Sequence, residues 1–407
     1  MSAMVPMDDP EHEPKVELMK RYFVMTPGET ASTVFRTATR APTRSVYQSR
    51  TSAGIAIGEM SEKEAEIVAK TGARVIPSRQ YAPLFDLENV YHPLASHPKS
   101  LTDVLDHIRA PRAWKRSRGA EIDIAIIDTG ICGKMSEFPA WKKSPHSLST
   151  FKPAWKDPAG HGSMTAGIAA ATSADGGRYD GVAPDARLID CPTSFDATEI
   201  FQIYEHLIGL VADNEVKRIV TNNSYGKYTC QPEELEEDDP VVMIIRQAVQ
   251  VGIVPVFAAG NNHVYICDHE PDDCGPNTIW GVNSMDEVLT VGTVDEDERM
   301  DRAPAGDFGH RDSSRGPGEM AKVLTKPDCV APTYGEVIWG CGYQAMEWWG
   351  TSGAAPQVAG LAALILSREP DLTVEEIADR IRGACRDIGL APTCSGRGII
   401  DCEIAVP

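Results

Sequence analysis

Three residues of the kinds that build an activated nucleophile stand far apart in the chain: Asp128 in IAIIDTGI, His161 in DPAGHGSMTAG and Ser352 in GTSGAAPQVAG. A serine hydroxyl is a poor nucleophile until a base takes its proton. The base in turn needs an acid to fix its tautomer and to stabilise its cation. Each residue alone has a plainer reading. Asp128 follows four apolar residues, where a carboxylate must be paired or hydrogen-bonded, and capping the next turn satisfies that. His161, between two glycines at a helix start, reads as a surface or capping residue. Ser352 at the start of an apolar helix reads as an N-cap. Together they supply acid, base and hydroxyl, each at the edge of a predicted element.

Those elements form two groups. From residue 121 onward, EIDIAIID (121–128), ARLIDC (186–191), KRIVTNNS (217–224), GIVPVFAAG (252–260) and EVLTVGTV (287–294) are short apolar or β-branched runs. GSMTAGIAAAT, EIFQIYEHLIGLVADN and VVMIIRQAVQVG lie between them and read as helices. Buried strands alternating with helices predict an α/β fold: a doubly wound, mostly parallel sheet with helices on both faces. A long apolar helix, GAAPQVAGLAALILSREP, follows, then a last helix opened by the capping box Thr373–Glu376. In such sheets ligands bind at the carboxyl ends of the strands, where Asp128 falls.

The N-terminal part differs. Residues 1–15 are polar and acidic and read as a disordered tail. KRYFVM (20–25) and AGIAIGEM (53–60) read as strands, SEKEAEIVAKTG (61–72) as a helix with a Ser61–Glu64 capping box, and ARVIPSRQYAPL (73–84) as an extended return. Residues 16–87 are thus a small α+β unit, 88–100 a linker, and 101–407 the main domain.

The order Asp, His, Ser separates this chain from chymotrypsin-like enzymes and from α/β-hydrolases, whose elbow G-x-S-x-G loses its last glycine here to Ala354. The chain resembles the subtilisin-like serine proteases, the subtilases, over roughly residues 100–405. IAIIDTGI, GHGSMTAG and GTSGAAPQVAG resemble that family's aspartate, histidine and serine motifs. GVAPDARL, NNSYG, VFAAGNN, SSRGPG and KPDCVAP match further landmarks in order. The resemblance implies a subtilisin-like fold and a serine endopeptidase acting on protein or peptide substrates. Ser352 would be the nucleophile, His161 the general base and Asp128 its orienting acid. Asn261 would donate to the oxyanion, and Ser224, Tyr225 and Gly226 would pair with an extended substrate. It also implies that residues 16–87 are a ferredoxin-like prodomain that assists folding and inhibits the active site with its tail, with autoprocessing between about 84 and 100. No cofactor is required for the chemistry. A structural calcium ion is implied through Glu137, nine residues after Asp128, and the loop 172–180. The alternative is a catalytically silent subtilase that binds peptides.

Several letters depart from the family pattern. Met164 stands where a second histidine is common, Gly353 replaces a methionine, Ala355 a serine and Gln357 a histidine; Tyr225 and Lys227 replace smaller residues. Cys267–Trp280 carries a surplus of residues. EELEEDD (233–239) reads either as a solvated loop or as a rim of the cleft that favours basic residues upstream of the cut bond.

Composition sets outer limits. A formal net charge of −20 repels nucleic acid and anionic membrane, and no apolar run is long enough to span a bilayer. The start lacks a signal-peptide pattern, so the expectation is a cytoplasmic protein or one exported by another route; the alternative is secretion with the signal absent from this chain. Ten cysteines permit disulfides, and the sequence leaves their state open.

Overall fold

The computed structural model describes residues 18–84, 94–302 and 308–407; the expected tail and residues 88–93 of the expected linker lie outside them. By its contacts the chain divides between Ser78 and Arg79 into two units.

The first unit runs β1 (Lys20–Met25), α1 (Ala31–Thr39), β2 (Val46–Gln48), β3 (Ile55–Met60), α2 (Glu62–Ala69) and β4 (Arg74–Pro77). Its antiparallel sheet has the order β2-β3-β1-β4. Tyr22, Val24, Phe35, Ala56, Met60 and Val68 belong to its core. The Ser61 capping box is present, with Glu64 N–H on Ser61 Oγ and Ser61 N–H on the Glu64 carboxylate. Helix α1 was not anticipated: ASTVFRTAT is rich in β-branched residues, which favour strands, and it forms because burial of Ala31 and Phe35 overrides propensity.

The second unit is built on six strands: β6 (Asp123–Asp128), β7 (Arg187–Pro192), β8 (Ile219–Asn223), β10 (Val254–Ala258), β11 (Leu289–Val294) and β12 (Cys329–Pro332). They form one parallel sheet in the order β12-β11-β10-β8-β6-β7. Their side chains are buried almost throughout, as expected for a parallel sheet covered on both faces. The covering helices are α3 (Leu101–His107), α4 (His161–Ala170), α5 (Ala197–Ala212), α6 (Pro240–Gln250), α7 (Gly350–Arg368) and α8 (Val374–Ala384). Helix α7 is buried from Gly350 to Leu366: an apolar helix with no polar face belongs inside the core. Two short strands, β5 (Ala82–Pro83) and β9 (Tyr225–Gly226), pair apart from the main sheet, as do β13 (Gly335–Trp339) and β14 (Gly342–Met346).

From β6 the chain adds β7 on one side, then crosses back to β8 on the other. This reversal opens a crevice at the carboxyl ends of β6 and β8, which in register are Ile127 and Asn223. Asp128 and Ser224 are the next residues.

Three disulfides are formed: Cys132–Cys341, Cys230–Cys267 and Cys274–Cys394. The surplus around Cys267–Trp280 is thereby tied to two distant parts of the chain. Among the described residues no helix is long and apolar enough to cross a membrane.

Candidate active site

Asp128 ends β6 and is fully buried; His161 opens α4 and is 2% exposed. Asp128 Oδ1 accepts from His161 Nδ1 at 2.7 Å and from the Thr129 N–H at 2.7 Å. A carboxylate can only accept, so Nδ1 carries the proton and Nε2 presents its lone pair. Nε2 has no hydrogen-bond partner among the described residues.

A second carboxylate fixes the two elements together. Asp157 Oδ1 accepts from Thr129 Oγ1 and the Gly160 N–H, both at 2.8 Å; Oδ2 accepts from the Ser163 N–H and hydroxyl at 2.8 and 2.7 Å. Thr129 Oγ1 then takes the Gly162 N–H at 2.9 Å. The contact is so close that a Cβ on Gly162 would lie 2.1 Å from the Gly130 carbonyl oxygen, so only glycine fits. Beneath this network Asp190 holds the Ile131 and Trp155 N–H groups. Burial pushes its carboxyl up to about 8 against the pull of those two hydrogen bonds. Sequence reasoning passed over Asp157 and Thr129, although both adjoin the motifs it used.

Ser352 lies in the first turn of α7. Its hydroxyl donates to the Ser224 carbonyl at 3.3 Å, and the Ser224 hydroxyl donates back to the Ser352 carbonyl at 3.1 Å. Pro356 makes the second bond available. It has no N–H to give the carbonyl four residues earlier, and that carbonyl is Ser352's. The unusual letters also find causes. A Cβ on Gly353 would lie 2.5 Å from Cβ of Trp349, whose indole is buried there and donates to the Gly335 carbonyl. Gln357 Nε2 donates to the Pro332 and Gly353 carbonyls at 2.7 and 3.0 Å, tying the first turn of α7 to β12.

Asn261 follows β10. Its Oδ1 accepts from the Thr351 N–H at 3.1 Å and hydroxyl at 2.9 Å, so its amide nitrogen must face the cleft, where it donates to the carbonyl of Leu84. Leu84 is the end of an extended segment, Arg79–Leu84, that lies in the second unit. Leu84 N–H donates to the Ser224 carbonyl at 3.1 Å. Ala82 and Pro83 pair antiparallel with Gly226 and Tyr225. On the other side Tyr81 N–H donates to the Phe195 carbonyl at 2.9 Å and Ala197 N–H to the Arg79 carbonyl at 2.8 Å. The segment is therefore the middle strand between Ser224–Gly226 and Phe195–Ala197. Fully buried Leu84 lines a small cavity together with Gly226, Ala259, Gly260, Asn262, Trp280 and Asn283. Tyr81 packs on Tyr225, with ring centroids 5.8 Å apart, and Tyr225 on Phe195 and Phe257 at the same distance. Tyr225 thus serves as a floor under the segment as well as a backbone partner. Phe195 and Asp196 were not anticipated, because their partners are backbone atoms, which leave no letter in the sequence.

Glu137 belongs elsewhere. It is fully buried, and its Oε1 accepts from the Arg178 N–H at 2.7 Å and the Tyr343 hydroxyl at 2.5 Å. In the loop 172–180, Asp180 is engaged by Ser173 and Asp175 by Trp141. Its Oε2 is buried with no hydrogen-bond partner among the described residues; a cation there would need further acceptors to converge on that oxygen.

This arrangement of an acid-bound imidazole, a hydroxyl at a helix start and an amide donor on a peptide carbonyl can carry out acyl transfer. The comparisons agree on the class. The model of the subtilase family matches residues 119–391, and the chain belongs to that family of subtilisin-like serine endopeptidases. It is 28% identical over 398 residues to serine protease AprX of Bacillus subtilis (strain 168), covering 86% of this chain and 84% of that one. It is 29% identical over 293 residues to the subtilisin-like protease PopC of Myxococcus xanthus (strain DK1622), covering 65% and 55%. Among solved structures, MycP1 with its N-terminal propeptide removed matches with a TM-score of 0.56 and 25% identity, over 75% of this chain and 96% of that one. Fervidolysin from Fervidobacterium pennivorans, a keratinolytic enzyme related to subtilisin, matches in fold with a TM-score of 0.65 at 18% identity, over 97% and 62%.

Proposed function

We propose that this serine endopeptidase works through Ser352, His161 and Asp128, and that the first bond it cuts is its own Leu84–Phe85. The observation that carries this reading is the Leu84 carbonyl resting on the Asn261 amide, at the end of a segment paired on both edges as a substrate would be. Ser352 Oγ attacks the carbonyl carbon while His161 Nε2 takes its proton. The oxyanion that forms is met by Asn261 Nδ2 and by the Ser352 N–H, at the positive end of α7. The C–N bond then breaks as His161 returns the proton to the leaving amine. Water, activated by the same imidazole, hydrolyses the acyl-serine and restores the hydroxyl. These steps call on no cofactor.

The N-terminal unit then acts as a prodomain, and its tail Arg79–Leu84 remains in the cleft as a product-like inhibitor. MycP1, similar in structure, is described with an N-terminal propeptide. N-terminal sequencing of the purified active enzyme gives Phe85 as the new first residue, and a fluorophosphonate probe labels it stoichiometrically. An uncut chain with full activity refutes the prodomain role; an unlabelled protein favours the silent peptide-binding reading instead.

Asn261→Ala lowers kcat by about 10²–10³, the usual loss for one oxyanion donor, with little change in KM. A rise of the same size in KM with kcat unchanged would mean that Asn261 binds ground state and transition state alike.

Three disulfides support maturation in an oxidising compartment; non-reducing peptide mapping of the purified protein recovers the three pairs if this holds.

A further inference from the structure

The segment in the cleft carries a single cation, Arg79, six residues back from the cut bond counting Leu84 as the first. Its backbone is held by Ala197, so the cleft still grips the chain at this distance. Its guanidinium is held by acids from the stretch EELEEDD. Nη1 and Nη2 donate to the two oxygens of Asp239 at 2.6 and 2.8 Å, a bidentate pair. Glu233 lies beside it, with Oε2 3.9 Å from Arg79 Nε and 3.5 Å from Lys227 Nζ. The Glu233 side chain is only 1% exposed, and its Oε2 makes no hydrogen bond among the described residues. Burial pushes the Glu233 carboxyl upward, opposed by Lys227 and Arg79, so its charged form depends on nearby cations. Asp239 is rigidly placed because it caps α6, accepting the Val241 N–H at 2.9 Å.

The geometry points to a subsite of the protease, formed by Asp239 and Glu233, that selects an arginine at the sixth residue before the cut bond in protein substrates. This rests on the reading of the cleft proposed above. When the N-terminal unit and its tail depart, Asp239 loses its bidentate partner, and Glu233 keeps Lys227 beside its Oε2. Two acids held in place without a matching cation favour substrates that supply one. A planar, two-pronged guanidinium matches the Asp239 carboxylate better than a lysine ammonium does.

The test uses the processed enzyme and internally quenched peptides of sequence X-Gln-Tyr-Ala-Pro-Leu-Phe, with X as Arg, Lys, Gln or Glu. The expected order of kcat/KM is Arg, Lys, Gln, Glu, with Arg ahead of Gln by about 10-fold or more, the value of hydrogen bonds to a charged group. In Asp239→Asn, which keeps a good N-cap, the Arg-to-Gln ratio falls toward one, and in Glu233→Gln it falls part of the way. A ratio near one in the wild type overturns the subsite and leaves the protease reading intact; Arg79 would then only anchor the enzyme's own tail. No cleavage of any peptide, together with no fluorophosphonate labelling, overturns the protease reading itself.

Discussion

Ser352→Ala lowers kcat by about 10⁶-fold, the scale seen when the nucleophile of a serine protease is removed, and leaves the protein as one uncut chain of 44.1 kDa. Both effects come from one oxygen atom. Ser352 Oγ holds a single long hydrogen bond, to the Ser224 carbonyl, so releasing it for attack costs little; His161 Nε2, which would take its proton, has no partner among the described residues. The fold does not depend on the hydroxyl. In the variant the Ser224 carbonyl still takes the Leu84 N–H, and the Ser352 carbonyl still takes the Ser224 hydroxyl. The variant should therefore melt close to wild type while losing cleavage in cis and in trans together. Steady-state hydrolysis of a peptide and intact mass read the two effects separately. If the alanine variant were still cut after Leu84, that cut would come from another protease and the autoprocessing reading would fall. If it kept more than a hundredth of wild-type kcat, Ser352 would not be the nucleophile.

The sequence made the sheet and the ends of its strands readable, because buried parallel strands are nearly pure apolar runs and Asp128, Asn223 and Ala258 fall where those runs stop. It also made the acid, base and hydroxyl readable, because their neighbours are small residues that only a close approach explains, such as Gly162 against Gly130. What it hid is non-local. Arg79 and Asp239 meet across 160 residues, and Cys132 and Cys341 across 209; no local pattern records such a pair. ARVIPSRQYAPL read as one extended stretch, yet it divides between β4 in the first unit and β5 in the second, since an extended backbone carries no label for the edge it will join. Gly353 needed Trp349 to explain it: the methionine of the family pattern has no room beside that indole. EELEEDD allowed two readings, and only the position of the Arg79 side chain separates them.

Asp128→Asn should lower kcat by about 10⁴-fold, as loss of the orienting acid does in other serine proteases, with KM within about threefold. The size follows from the two hydrogen bonds that share Oδ1. If the asparagine oxygen takes that place, it accepts from the Thr129 N–H and from His161 as before, and the tautomer survives. The imidazolium formed during attack then faces a neutral dipole in a buried site, where the lost charge is poorly replaced by water. If the amide nitrogen takes the place instead, it opposes the Thr129 N–H and forces His161 to accept at Nδ1. The proton then resides on Nε2, which cannot take another from Ser352. Either way the ground-state complex is untouched, because Arg79–Leu84 is held by Ser224, Tyr225, Gly226, Phe195, Ala197 and Asn261, with no hydrogen bond to Asp128 among the described residues. The loss thus belongs in kcat. With the asparagine oxygen on the Thr129 N–H the melting temperature stays close to wild type; with the nitrogen there it falls, because that buried N–H loses its acceptor. A kcat within tenfold of wild type would mean that His161 is oriented by its place at the start of α4 and by the Trp339 ring, which meets it edge-on with centroids 6.3 Å apart, and that Asp128 is a structural residue.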